Sequence, residues 1–176
     1  DDPALQLACA RIHAARRFPR SPPLWRGRRH AHDRIRVAYL SANFCEHAVG
    51  YLVARLFELH DRTQFETTGI SFGPADEKPM LARIRSAFDR FIDVRALDDG
   101  AVARVLYDLE IDIAVDLMGY TKDARPAILA HRPAPIQLNF LGYPGTMGAD
   151  FIDYIVADRH LIAAGDEPHY SESVLR

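Results

Sequence analysis

The chain has 176 residues, of which 48% are hydrophobic, and a formal net charge of −2 at pH 7. This length allows a single folded core, and the apolar share is enough to close it. Two cysteines exclude the disulfide framework of a small secreted protein, and no apolar run reaches the roughly 18–20 residues that span a bilayer. We therefore expect a protein of the reducing cytoplasm without a membrane partner.

The charge is distributed unevenly. Residues 1–36 hold nine arginines and three acidic residues, whereas residues 37–176 hold 13 basic and 21 acidic residues. A basic arm of this kind can bind nucleic acid, but a solvated helix face or a contact to an adjoining domain is favoured. No nucleic-acid partner is predicted.

The predicted elements begin with a helix at 3–16, followed by an Arg/Pro-rich connector. We therefore divide the chain into a helical lead-in with its connector, residues 1–33, and a folded unit, residues 34–176. In that unit short apolar strands alternate with amphipathic helices. The strands are predicted at 35–40, 66–72, 91–94, 111–117, 136–140 and 154–157, with 173–175 as an incoming strand, and the helices near 49, 77–90, 100–109 and 124–131.

This alternation predicts an α/β fold, a Rossmann-like parallel sheet with helices on both faces. In such sheets ligands bind beyond the carboxyl ends of the strands. Three loops follow predicted strands at 41–47, 118–122 and 141–148. If the strand order brings them together, they form a crevice for an anionic ligand, in which the first amides of the helix after the first loop face a phosphate.

His47 is the principal catalytic candidate, because imidazole exchanges protons and binds phosphate oxygens near neutral pH. The alternative interpretation is a helix-capping or surface histidine. Cys45 as a nucleophile with His47 as its base is less favoured than a packed thiol, because a two-residue offset does not make the side chains face each other. Lys122, one of two lysines beside 20 arginines, is interpreted as a solvated loop charge.

The third loop is rich in glycine and proline. Gly142, Gly145 and Gly148 recur every third residue, which is not the dinucleotide-binding fingerprint. Pro144-Gly145 predicts a tight turn with positive φ at Gly145. A structural turn and a ligand contact are both compatible with this pattern.

No metal site is predicted. His30 and His32 lie in the connector, and Asp108, Glu110 and Asp112 alternate where a helix meets a strand. Solvation explains both groups more simply than metal ligation.

Several ordered motifs carry a family resemblance. They lie at 34–47, 119–125, 132–137 (Arg-Pro-Ala-Pro-Ile-Gln), 141–146 (Leu-Gly-Tyr-Pro-Gly-Thr), 153–154 and 170–172. Together they resemble the O-linked N-acetylglucosamine transferase family, which includes SPINDLY-type plant proteins and bacterial homologues with tetratricopeptide repeats. The resemblance covers residues 34–176.

The resemblance implies the N-terminal lobe of a two-lobed GT-B glycosyltransferase. The implied activity is inverting, metal-independent transfer of N-acetylglucosamine from UDP-N-acetylglucosamine to Ser or Thr hydroxyls of proteins, without a cofactor. The implied partners are the UDP-sugar donor, a protein acceptor, and the second catalytic lobe and tetratricopeptide repeats of the same full-length protein. Since that second lobe holds most cationic and nucleotide-binding groups in the family, this fragment alone is expected to be inactive.

By resemblance, His47 matches the active-site histidine, and Leu141 and Gly142 match a loop that lines the donor site. The predicted substrate-binding residues are these two together with Asn43, Tyr120, Thr121, Tyr143, Pro144, Gly145 and Thr146.

Three positions depart from relatives of the animal enzyme. Asn43 stands where they have Asp, and Ala48-Val49 where they have Pro-Thr, so a carboxylate base and one hydroxyl contact are missing. These changes keep open a non-catalytic lobe that binds nucleotide sugar or protein. Gly-Tyr-Thr at 119–121, in place of the SPINDLY-type Gly-His-Thr, favours N-acetylglucosamine over the alternative donor GDP-fucose.

Overall fold

The fold is built on one parallel sheet of seven strands, seen in a computed structural model that describes residues 2–19, 21–74 and 78–176. The strands are β1 (Ile35–Ser41), β2 (Phe65–Ser71), β3 (Arg90–Asp93), β4 (Ile113–Asp116), β5 (Ile136–Phe140), β6 (Tyr154–Val156) and β7 (Ser173–Leu175). The helices are α1 (Pro3–Arg17), α2 (Ala48–Glu58), α3 (Pro79–Ala87), α4 (Asp99–Asp108) and α5 (Ala127–Ala130), with a 3-10 helix at Glu167–His169.

Helices cover both faces of the sheet, as predicted. On one face α1, α4 and α5 pack on the strands through residues that include Ala14, Ala38, Leu40, Leu106, Ala114 and Leu129. On the other face α2 and α3 pack through residues that include Val37, Tyr39, Val53, Phe57, Ile84 and Val115. Burial of each Val, Leu, Ile or Phe side chain in these two layers contributes roughly 1.5–3 kcal/mol, so both layers stabilise the sheet. No described helix is long and apolar enough to cross a bilayer.

The predicted α/β class is confirmed, and most element bounds agree within two residues. The strand predicted at 136–140 is β5, and the incoming strand at 173–175 is β7. The short helix predicted at 124–131 is reduced to the single turn of α5. The predicted start of α3 at residue 77 lies outside the described residues.

Helix α1 belongs to the same core as the sheet. The Asp2 carboxylate caps it by accepting hydrogen bonds from the amides of Ala4 and Leu5, and its buried face carries Leu7, Ala10 and Ala14. A Cβ placed on Gly148 would lie 2.4 Å from the Arg11 nitrogen, so α1 lies directly on the third loop. The helix predicted as a lead-in therefore forms part of one face of the lobe.

The connector between α1 and β1 is also fastened to the sheet. His30, whose side chain is only 4% exposed, has its Nδ1 3.1 Å from the Asp112 carboxylate. His32 Nε2 lies 3.2 Å from the Glu110 carbonyl oxygen. The prediction that these groups are merely solvated was wrong, since the fold brings residues about 80 positions apart into contact.

The acidic residues of this cluster have further partners. The second Asp112 carboxylate oxygen accepts the Arg36 amide at 2.9 Å, and Arg28 and Arg36 approach the Glu110 carboxylate. His30, His32 and Asp112 each offer one potential ligand atom within 4.8 Å of the others, and all three residues also make the hydrogen bonds described above.

The strand order places three loops side by side. The order is β3-β2-β1-β4-β5-β6-β7, so the direction of winding reverses between β1 and β4. Parallel sheets bind ligands at the carboxyl ends of strands beside such a reversal. The first loop (41–47), the second loop (118–122) and the third loop (141–148) follow β1, β4 and β5, three neighbouring strands.

Candidate functional site

The three loops form one continuous edge. The Ser41 hydroxyl and the Asn43 amide nitrogen each lie 3.4 Å from the Met118 sulfur, which joins the first loop to the second. A Cβ on Gly119 would lie 2.3 Å from the Tyr143 Cβ, so the second loop touches the third. The structure thus brings together the loops that the sequence proposed as a crevice.

His47 ends the first loop and caps α2. Its Nδ1 accepts a hydrogen bond from the Val49 amide at 3.2 Å, and its own amide donates to the Cys45 carbonyl oxygen at 2.7 Å. Because Nδ1 is the acceptor, the proton of the neutral ring resides on Nε2. The residue is exposed, so it can present an Nε2–H donor to a ligand. The capping alternative and the active-site prediction are compatible, since they use different ring nitrogens.

The second loop is shaped by a buried carboxyl group. Asp116 is 4% exposed, and its two oxygens accept the amides of Met118 at 2.9 Å and Gly119 at 3.0 Å. Burial raises the pKa of Asp116 to about 6, although these hydrogen bonds act in the opposite direction. Gly119 has φ +57°, a left-handed conformation that side-chain-bearing residues rarely adopt. The loop therefore has a fixed backbone.

We expect Asp116 to make the free energy of unfolding fall as the pH rises. Its folded pKa of about 6 exceeds the ordinary 3.8, so the folded chain holds this proton more tightly than the unfolded chain. That contribution is complete below about pH 4 and is lost as the pH passes through about 6, a change of roughly 3 kcal/mol.

Urea unfolding of wild type and Asp116→Asn at about pH 4 and about pH 7 measures this effect, because the variant cannot titrate at this position. The stability of wild type relative to the variant should decrease toward the higher pH. The same difference at both pH values would contradict the prediction.

The third loop begins with a strained turn. Leu141 has φ +70°, and the Gly142 amide donates to the Phe140 carbonyl oxygen at 2.9 Å, which is the pattern of a rare γ-turn. A Cβ on Gly142 would lie 1.9 Å from the Leu117 carbonyl oxygen, so only glycine fits. Strain of this kind is characteristic of functional sites.

The predicted positive φ at Gly145 was wrong. In the third loop the left-handed residues are Leu141 and Gly148. An added Cβ on Gly145 would meet the ends of two side chains, lying 2.4 Å from the Gln6 side-chain amide nitrogen and 2.9 Å from the Tyr143 ring. The dipeptide rule describes isolated turns, whereas here α1 and Tyr143 surround the turn.

Thr146 is buried, unlike residues 141–144 of the same loop. Its side chain is 1% exposed, and its hydroxyl donates to the Glu172 carboxylate at 2.7 Å. Thr146 as a substrate-binding residue stays a prediction, and in this lobe its hydroxyl is engaged by Glu172. Asn43, Leu141, Gly142 and Tyr143 are half-buried at the edge, and Pro144 is exposed.

Tyr120 and Thr121 line an open cavity of about 480 Å³ between the second loop and α1. His13 and Arg17 of α1 line the same cavity, and the His13 ring lies 4.8 Å from the Tyr120 ring. Burial raises the pKa of the Tyr120 hydroxyl, which donates to the Met147 carbonyl oxygen at 2.7 Å. A larger cavity, about 720 Å³, lies between α1 and residues 148–153, away from the predicted residues.

Sequence reasoning missed several residues at this edge. Asn139, buried in β5, donates to the Tyr143 carbonyl oxygen at 3.1 Å, and Tyr170 donates to the Pro144 carbonyl oxygen at 3.0 Å. Glu172 is 3% exposed. Two signals in the sequence could have indicated these residues. Asn139 is a polar residue within a strand, and the Tyr-Ser-Glu motif at 170–172 was considered above only as part of the family resemblance.

Comparisons with known proteins point to one family. The family model for glycosyl transferase family 41 matches residues 12–175. The chain is 36% identical over 142 residues to the probable UDP-N-acetylglucosamine–peptide N-acetylglucosaminyltransferase SEC of Arabidopsis thaliana, covering 81% of this chain and 14% of that protein. It is 35% identical over 127 residues to the UDP-N-acetylglucosamine–peptide N-acetylglucosaminyltransferase of Caenorhabditis elegans, covering 72% of this chain and 11% of that protein.

A solved structure gives the same result. A mutant O-GlcNAc transferase of Thermobaculum terrenum matches with a TM-score of 0.87 and 32% identity, covering 99% of this chain and 34% of that one. Since that neighbour is a GT-B glycosyltransferase, the fold predicted from the resemblance is confirmed. The chain spans 11–14% of the length of these two curated relatives.

Proposed function

Because this chain belongs to glycosyl transferase family 41, we propose that it is one wall of the donor cleft of a protein O-N-acetylglucosaminyltransferase. The full-length protein would transfer N-acetylglucosamine from UDP-N-acetylglucosamine to Ser or Thr hydroxyls of proteins. One observation carries the proposal: three loops beside the reversal of strand order form a continuous edge, in a lobe that superposes on an O-GlcNAc transferase with a TM-score of 0.87.

The reaction we propose is a single displacement with inversion. The acceptor oxygen forms a bond to the anomeric carbon as the bond from that carbon to the phosphate oxygen breaks, and the hydroxyl proton passes to water or to an oxygen of the departing diphosphate. UDP leaves with both electrons of the broken bond. Catalysis then depends on in-line positioning and on hydrogen bonds to the growing phosphate charge.

The Nε2–H group of His47 is suited to donate a hydrogen bond to the growing charge on the phosphate. It is a hydrogen-bond donor held in place by the Nδ1 contact to Val49 at the start of α2. A helix N-terminus favours anionic groups nearby, which supports placing the diphosphate on this side of the edge. The Asn43 amide offers a further donor or acceptor but no basic carboxylate.

We propose that the transfer is metal-independent. Divalent cations that assist diphosphate departure are usually held by accessible carboxylates. In the described part of this edge, the carboxylates of Asp116 and Glu172 are buried and already accept hydrogen bonds, and the exposed carboxylate of Glu46 lies 4.0 Å from the Lys78 ammonium group. The neutral donors of the three loops are consistent with charge stabilisation by protein groups alone.

The proposed partners are a UDP-sugar, a protein acceptor, a second catalytic lobe and tetratricopeptide repeats of the same full-length protein. The small share of the relatives that the chain covers supports further domains. Residues 1–176 alone are expected not to transfer sugar, because a GT-B donor site lies between two lobes. A cytoplasmic location remains a prediction.

Transfer assays with the full-length protein test the proposal. Acceptor peptides should be labelled from UDP-N-acetylglucosamine in the presence of a chelator, with much less labelling from GDP-fucose, and NMR of the product should show the inverted anomer. Preferential use of GDP-fucose would reassign the donor. Nucleotide binding without transfer to any peptide or protein acceptor would indicate a non-catalytic lobe.

A further inference from the structure

A buried carboxylate holds the C-terminal half of the third loop. Glu172 precedes β7, and one of its oxygens accepts the Met147 amide at 2.6 Å. The other oxygen accepts the Thr146 hydroxyl at 2.7 Å and the Ser171 hydroxyl at 3.0 Å. The contact joins residues about 25 positions apart, so it fastens the segment before β7 to the loop after β5.

The hydrogen bonds around Thr146 show that Glu172 acts as an acceptor. The Thr146 hydroxyl oxygen already receives the amides of Gly148 at 3.2 Å and Ser171 at 3.1 Å. Its two lone pairs are then occupied, so its own proton goes to Glu172 at 2.7 Å in preference to the Ser171 hydroxyl at 3.2 Å, which itself donates to Glu172. Glu172 therefore accepts at both oxygens.

The backbone of Met147 is held by two different parts of the chain. Its N–H donates to Glu172, and its carbonyl oxygen accepts a hydrogen bond from the Tyr120 hydroxyl at 2.7 Å. The Tyr170 hydroxyl binds the Pro144 carbonyl oxygen at 3.0 Å. Backbone groups of the third loop are thus held from the second loop and from residues 170–172. These contacts restrain the backbone of the third loop at Pro144 and Met147.

We infer that Glu172 is a positioning residue for donor binding, an inference that rests on the proposed function. Glu172 does not touch the donor. Its carboxylate, through Thr146 and Met147, sets the backbone of the loop that forms one wall of the donor site. Without it, the Thr146 proton and the Met147 amide lose their buried acceptor, and the loop populates other conformations that bind the donor poorly.

The test uses Glu172→Gln in the full-length protein. Glutamine has nearly the same shape, but in either orientation its NH₂ group would face a group that cannot accept from it: the Thr146 hydroxyl, whose lone pairs are occupied, or the Met147 amide, which is itself a donor. We expect the KM for UDP-N-acetylglucosamine and the Kd for UDP to rise on the order of tenfold, with a smaller change in kcat. Glu167→Gln is the matched control, because Glu167 lies in the same segment and binds Gly165 and Arg176 instead.

Two further variants separate positioning from folding. Thr146→Val removes the hydroxyl at nearly constant shape and should raise both constants, whereas Thr146→Ser keeps the hydroxyl and should restore them. A purely structural role would reduce the amount of active enzyme, and hence the apparent kcat, while KM and Kd stay at wild-type values. That pattern, or equal constants for Glu172→Gln and Glu167→Gln, overturns the inference.

Failure of the proposed function gives a different result. UDP and GDP binding are measured by calorimetry, independently of transfer. If wild type binds GDP rather than UDP, or binds UDP without transferring sugar, the function changes but the comparison of Kd values still tests Glu172. If wild type binds neither nucleotide, both the proposed function and the positioning role are rejected.

Discussion

Replacing His47 with glutamine is expected to preserve much of the transfer activity that replacement with alanine removes. His47→Ala should lower kcat by about 10²–10³-fold in the full-length protein, the usual range for losing one donor to a developing charge. Glutamine places an NH₂ group near the position of Nε2, so it can replace a hydrogen-bond donor. It cannot replace a general base.

Asparagine is the matched variant. Its carbonyl oxygen can accept the Val49 amide as His47 Nδ1 does, so the cap of α2 is retained, but its side chain is too short to reach the Nε2 position. His47→Asn should therefore be as stable as wild type and as inactive as His47→Ala. Steady-state kinetics and thermal unfolding of the three variants measure this. If His47→Gln is as inactive as His47→Ala, the donor role is wrong and proton acceptance is favoured.

Gly142→Ala is expected to have the largest effect on the third loop. The new methyl group would lie 1.9 Å from the Leu117 carbonyl oxygen and 2.8 Å from the Leu117 carbonyl carbon. These are backbone atoms of the neighbouring strand end, so a side-chain rotation cannot relieve the clash. We expect a loss of about 2–4 kcal/mol in the free energy of unfolding, together with loss of UDP binding by the full-length protein.

Gly100→Ala is the control for this substitution. Gly100 lies in α4, and the nearest atom to an added Cβ is 3.5 Å away. It should change stability by less than about 1 kcal/mol and leave UDP binding intact, because alanine is the better helix former. Chemical unfolding of residues 1–176 and calorimetry on the full-length protein measure the two effects. Equal stability of Gly142→Ala and Gly100→Ala would show that the loop moves away from β4 at little cost.

Local sequence patterns were sufficient for the elements that frame the candidate site. The β5 strand was predicted with its observed bounds, because alternating apolar residues between Pro135 and a Gly/Pro loop are a signal within a few residues. The three loops were placed for the same reason, since each directly follows such a strand. The family resemblance also rests on contiguous motifs and was confirmed.

Contacts between distant residues were not predictable in this way. The sequence contains no local signal that Gly148 touches α1 or that His30 binds Asp112. The prediction for Gly145 failed because the packing of α1 and Tyr143 around the turn overrode the dipeptide preference. Thr146, which the motif suggested as a ligand contact, is buried against Glu172.

The sequence by itself determined the alternation of strands and helices, the positions of the strand-end loops and the family, because hydrophobic period, turn residues and motifs are properties of neighbouring positions. The tertiary structure alone decided the strand order and therefore which loops meet. It also decided that His47 uses Nδ1 to cap α2, and that Glu172 binds the third loop. These features depend on distances between groups far apart in the chain, which only the packed sheet and helices define.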